Sequence, residues 1–189
     1  MSDSNITKLA LANSLKALMV KKPFDKISVG DISDNCALTR QTFYYHFQDK
    51  YDLMNWIYYT ETMRFISSYD TLEHWTEGLV RLCRYMRENK TFYTNALATT
   101  GPNSFPEYLH GYILNITQTA VESALKKPFD PEKWGFFVEF FTTAFVSYII
   151  RWSAGGMKAD PADFIHRIRS LYDGSVLATL EKTDKMTQA

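Results

Sequence analysis

The chain is poor in several features that would each point to a function. It has only two cysteines, Cys36 and Cys83, far apart and in no CxxC spacing. That leaves no disulfide scaffold and no zinc-finger framework, and it fits a reducing compartment. Net charge is also missing: 21 Lys and Arg stand against 21 Asp and Glu, so no global field draws the chain to nucleic acid or membrane. Any such binding must be local. In residues 1–52, Lys8, Lys16, Lys21, Lys22, Lys26, Arg40 and Lys50 face Asp3, Asp25, Asp31, Asp34, Asp49 and Asp52, a balance too even to argue either way. No apolar run approaches the length of a membrane span, and no basic-then-apolar pattern opens the chain. A soluble, cytoplasmic protein is expected.

Enzyme signatures are absent as well. His46, His74, His110 and His166 are scattered, and none has a partner at metal or nucleophile spacing such as HExxH. There is no phosphate-cradling glycine loop and no GxSxG elbow. Neither catalysis nor a cofactor is expected, and no internal repeat or low-complexity linker divides the chain.

What the chain does have is apolar residues, 46% of 189, with 15% aromatics, enough for a real core. Helical spacing dominates. Leu11, Leu15, Leu18 and Met19 mark one face of a first helix, ended by Pro23 and Phe24-Asp25. Ser28 with Asp31 resembles a capping box opening a second helix, whose apolar face is Val29, Ile32 and Cys36. After the short break Ala37-Leu38, Thr39 can cap a short third helix, and Asp49 a fourth that runs to about Ser68. Further starts are read at Asp70 with Glu73, Ser104 with Glu107, Asp130-Pro131 and Asp160-Pro161, and stops at Gly101-Pro102 and Gly155-Gly156. The expected fold is all-α, with about nine helices and no strand.

Two short helices joined by about three residues behind a longer one match the helix-turn-helix pattern. The third helix buries one side through Phe43 and Phe47, expected to pack on Leu18, Ile32 and Cys36. Its other side then carries Arg40, Gln41, Thr42, Tyr44, Tyr45 and His46. Arg40 and Gln41 lie in the first turn, where recognition helices touch bases most often; arginine suits guanine and glutamine suits adenine. Tyr44, His46 and Lys50 read as phosphate-backbone anchors. Ser28 and Thr39 join this DNA-binding set.

The runs Ile27-Ser28-Val29-Gly30-Asp31-Ile32, Leu38-Thr39-Arg40-Gln41-Thr42-Phe43-Tyr44-Tyr45-His46-Phe47 and Asp49-Lys50-Tyr51-Asp52-Leu53 resemble the TetR family of bacterial regulators. One departure is Ala37, where that family usually has glycine in the turn. The resemblance implies a DNA-binding domain over 1–48, a helical effector-binding and dimerisation domain over 49–182, and leaves a polar tail over 183–189. It implies a homodimer that binds palindromic double-stranded DNA under control of a small-molecule effector or a protein partner. More loosely, Arg84-Tyr85-Met86-Arg87-Glu88-Asn89 with Phe92-Tyr93 resemble the subgroup of dihydroxyacetone kinase operon regulators, in which that partner is kinase-like.

Phe136, Phe137, Phe140, Phe141, Ala144, Phe145, Tyr148, Ile149 and Trp152 form a helix that is apolar around most of its circumference, and burial on nearly all sides is expected. Together with the stripe Phe164, Ile168, Leu171, Tyr172, Val176 and Leu180, it would make half of a four-helix dimer interface. The interface set is Phe141, Phe145, Tyr148, Trp152, Phe164, Ile168, Leu171 and Tyr172. Trp56, Tyr59, Met63, Trp75, Tyr85, Tyr93, Tyr112 and Glu139 are the candidate effector-pocket residues. An intrachain core explains each interface residue equally well, most aromatics of the pocket set are better explained as core, and Glu139 by exposure to water. The alternative function is a helical protein-interaction module in which DNA binding has been lost.

Overall fold

The computed structural model describes residues 3–66 and 75–171. Nine α-helices stand among the described residues: α1 (Asp3–Met19), α2 (Val29–Asn35), α3 (Arg40–His46), α4 (Lys50–Ile66), α5 (Trp75–Glu88), α6 (Lys90–Leu97), α7 (Phe105–Leu125), α8 (Pro131–Ala154) and α9 (Pro161–Leu171). A 3-10 turn at Phe24–Lys26 follows α1. There is no strand among the described residues, as the helical spacing predicts.

Most helix starts follow from a side chain placed to accept a free amide. Ser28 Oγ accepts from Asp31 N at 3.1 Å while Asp31 Oδ2 accepts from Ser28 N at 2.8 Å, so the capping box is complete. Thr39 Oγ1 accepts from Thr42 N at 3.0 Å, and Asp49 Oδ1 accepts from Tyr51 N and Asp52 N. Asp130 caps α8 ahead of Pro131, and Asp160 Oδ1 takes the amide of Ala162 ahead of α9. One start differs: Glu107 accepts from Asn103 N at 2.8 Å, one residue earlier than a box with Ser104 requires. The start read at Asp70 and Glu73 lies outside the described residues.

The chain forms two compact units, one of residues up to 63 with 89–109, the other of 64–88 with 110 onward. The first has Leu11, Leu15, Ile32, Phe43, Leu53 and Tyr58 at its centre, all fully buried. Here α4 and α6 brace the helix-turn-helix. Lys16 Nζ donates to Glu61 at 2.6 Å, and Tyr93 Oη donates to the same carboxylate at 3.0 Å. Asn95 donates to Met19 O and Lys22 O and accepts from Phe24 N, so a residue of α6 ties off the end of α1. In the second unit α5 packs on α9, and Ala120, Val121, Trp134 and Val138 form a buried cluster.

Candidate nucleic-acid interface

The geometry of α3 starts one turn earlier, at the end of α2. Leu38 N donates to Ser33 O at 3.0 Å and Ala37 N to Asp34 O at 3.2 Å. This paired closure needs a left-handed residue at its bend, and Ala37 supplies it with φ of 55°. That is the turn position where glycine was expected. Alanine adopts it at a cost of roughly 1–2 kcal/mol, and the turn still forms.

Phe43 and Phe47 lie inward, 0% and 3% exposed, with ring centroids 5.9 Å apart. One side of a helix of seven residues is thereby fixed. Arg40, Gln41, Tyr44 and Tyr45 stand on the solvent side, with Tyr44 57% and Tyr45 83% exposed. Thr42 and His46 are half-buried, and the His46 ring stands edge-on to Tyr45 at 4.9 Å. Arg40, Gln41 and the two phenol groups hold no hydrogen bond or ion pair among the described residues. Four groups able to hydrogen-bond therefore project from one rigid turn-and-a-half of helix with nothing to bond but solvent.

Four residues of the expected DNA-binding set, Ser28, Thr39, Thr42 and Lys50, have local work. The Ser28 hydroxyl also donates to Asp31 Oδ2 at 2.8 Å, and the Thr39 hydroxyl lies 2.9 Å from that of Thr42. Hydrogen bonds from the Ser28 amide, the Ser28 hydroxyl and Lys22 hold the Asp31 carboxyl at about 2, below its usual 3.8. Lys50 donates to three backbone carbonyls, of Ile27 (2.9 Å), Phe24 (3.0 Å) and Asp25 (3.3 Å). Its ammonium also sits 4.6 Å over the Phe24 ring. Burial lowers its pKa, against the opposing pull of Asp25 and Asp49. Lys50 is a clasp on the α1–α2 connection, a task its sequence position did not reveal; Asn95 was missed altogether, because its partners lie more than seventy residues away.

The residues proposed for an effector pocket are divided between the two units. Trp56 packs on Phe47 at 5.9 Å, Tyr59 is 58% exposed, and Tyr93 is fully buried against Glu61; all three belong to the first unit. Tyr85 and Tyr112 are half-buried in the second unit, and Glu139 is exposed there, 3.1 Å from His110 Nε2. The side chains of Met63 and Trp75 lie outside the described residues. A cleft of the second unit, about 500 Å³ including open solvent, is instead lined by Leu79, Ile113, Ile116, Thr117, Ala120, Phe141, Phe145 and Ile168. None of the expected pocket residues is among them. Its one polar side chain, Thr117, is already bonded to Ile113 O at 2.8 Å.

The residues of the expected dimer set stand in several settings within the single chain. Phe141, Phe145 and Ile168 line that cleft, while Trp152 and Phe164 are buried against each other at 5.4 Å. Tyr148 and Leu171 are open, at 46% and 63%, and Tyr172 is outside the described residues. Nor is α8 buried all round: Phe136 is 85% and Phe140 59% exposed, with rings 6.2 Å apart. Spacing alone does not say which side of an all-apolar helix its own chain covers. No helix of the described residues is long and apolar enough to cross a membrane.

Comparison with known proteins agrees with this geometry. Residues 14–56 match the family described as bacterial regulatory proteins, tetR family, and residues 73–174 match a transcriptional regulator C-terminal region. Over 93 residues, 49% of the chain, it is 36% identical to the HTH-type dhaKLM operon transcriptional activator DhaS of Lactococcus lactis subsp. lactis (strain IL1403). That match spans half of the relative's length. Among solved structures, the dihydroxyacetone kinase operon activator DhaS is similar at 23% identity and a TM-score of 0.64, with 93% of this chain and 97% of that one covered. The fatty acid degradation regulator FadR from Bacillus halodurans is similar at 14% identity and a TM-score of 0.66, covering 89% and 95%. NalD, the secondary repressor of the MexAB-OprM efflux pump in Pseudomonas aeruginosa, is similar at 15% and 0.63, covering 91% and 97%. Identities this low show a shared fold. The family and these relatives are regulators of transcription rather than enzymes. This chain belongs to the TetR family of bacterial transcriptional regulators.

Proposed function

We infer that the chain acts in the cytoplasm as a homodimer that reads a palindromic operator with α3, under control of a signal received by its second unit. One observation carries the reading: Phe43 and Phe47 are locked inward while Arg40, Gln41, Tyr44 and Tyr45 project outward with unpaired hydrogen-bonding groups. Such a surface suits a major groove lined by base and phosphate acceptors. Arg40 and Gln41 are the base readers, with Tyr44, Tyr45 and His46 beside the phosphates. Ser28, Thr39 and Lys50 serve this surface by holding its frame, and the reading module ends near residue 48 with α4 and α6 as its brace.

A single seven-residue recognition helix gives little specific affinity, and a two-fold pair gives much more. The open rings of Phe136 and Phe140, continued by Tyr148 on the same helix, supply an apolar face for that pairing. The cleft lined by Ile113, Ala120 and Phe145 suits a small, uncharged, apolar effector. Similarity over half its length to an operon activator favours activation, with a kinase-like protein as the alternative source of the signal. An electrophoretic mobility shift with DNA from the chain's own promoter region tests the core of this. We expect salt-sensitive binding of a dimer to a palindrome; failure to bind at low salt would leave only the protein-interaction reading.

A further inference from the structure

Gly30 is the second residue of α2, and it is buried although it stands in the first turn of a seven-residue helix. A Cβ built on it would meet Arg40 Nη2 at 2.5 Å, Nε at 3.0 Å and Cζ at 3.1 Å. All three atoms belong to one guanidinium, whose Nε–Nη2 edge therefore fills the space a Cβ would take. Glycine inside a helix is unfavourable, because its backbone loses the most freedom on folding. The rest of α2 shows no such concession, with a complete capping box before it and a paired closure after it. The missing side chain leaves a clearance that the guanidinium occupies. Arg40 is flexible at its far end and would yield to a methyl group, so the fold of α2 does not depend on this clearance. The position of Arg40 does.

Arg40 opens α3, is exposed, and holds no hydrogen bond or ion pair among the described residues. An arginine that wanders in solvent loses much rotamer freedom when it is fixed on a base edge, and one already seated loses less. Bidentate recognition also depends on the angle at which the planar fork arrives. We propose that Gly30 is a positioning residue for DNA sequence readout: the side chain it lacks is the seat of the Arg40 guanidinium, and that seat sets the base Arg40 reads. This rests on the DNA-reading role of α3 and adds to it a residue that has no side chain to contact DNA.

The test uses the full chain and a pool of duplexes with a randomised core of about two helical turns, spanning both half-sites. Wild type, Gly30→Ala, Arg40→Ala and the double variant are each put through selection and sequencing, and their melting temperatures are measured. Gly30→Ala is expected to melt at the same temperature or higher, while its preference at one base pair of each half-site relaxes by roughly fivefold to tenfold. Arg40→Ala should relax that same base pair, and adding Gly30→Ala to it should change nothing further. The proposal is overturned if Gly30→Ala keeps the wild-type preference, shifts it equally without Arg40, or lowers the melting temperature enough to explain the loss. If wild type itself selects no sequence, the failure lies with the DNA reading and takes this proposal with it.

Discussion

Two helices, α3 and α8, each bury an aromatic side and leave another side open, and they differ in what the open side offers. On α3 the buried pair is Phe43 and Phe47, and the open side presents a guanidinium, a carboxamide and two phenols. On α8 the buried residues include Val138, Phe145 and Ile149, and the open side presents the rings of Phe136 and Phe140. Exposed hydrogen-bonding groups on a rigid base suit a partner rich in acceptors. Exposed rings lower their free energy only by meeting another apolar surface. Both sides are exposed, and what separates them is the chemistry each presents.

If the comparison is right, the inward rings and the outward groups fail in different ways. Phe43→Ala removes a fully buried ring and is expected to destabilise the chain by about 3–5 kcal/mol, read by urea denaturation. Replacing both Phe136 and Phe140 by Glu should leave the fold intact but weaken self-association by about 2–4 kcal/mol, seen as a monomer in sedimentation. An unfolded or still dimeric double variant would break the α8 half of the comparison. Arg40→Ala should weaken binding of the preferred duplex by about 1–3 kcal/mol at unchanged melting temperature.

How much of this was legible depended on how local each interaction is. The caps at Ser28, Thr39 and Asp49 were readable because each is a side chain reaching an amide two or three residues away. Phe43 and Phe47 were readable because four-residue spacing in a two-turn helix leaves one inward side. The cleft was not, since the aromatics of α4 to α7 share one spacing whether they fill a core, line a pocket or face water. Its walls come from Ile113, Thr117 and Ala120, which have no signature of their own. Lys50 was given to phosphate by its place in the motif, and the carbonyls it holds depend on a connection whose path no local pattern specifies.

Smaller effects sharpen the α2–α3 frame. Ala37→Gly relieves a left-handed alanine and should stabilise the chain by up to about 1 kcal/mol, the relief being partly offset by a freer unfolded chain. Asp31 has the smallest and most specific signature. Its folded pKa, about 2, lies below the unfolded 3.8, so its contribution is present above about pH 4 and is lost as pH falls toward 2. The stability difference between wild type and Asp31→Asn should shrink across that window; a difference that grows there would contradict the capping geometry.

The most direct test is hydroxyl-radical footprinting of the chain on its selected duplex. The account predicts two protected patches on one face of the DNA, about one helical turn apart, both lost when Arg40→Ala and Tyr44→Phe are combined. Protection that survives the paired substitution unchanged would mean that α3 is not the surface that meets DNA.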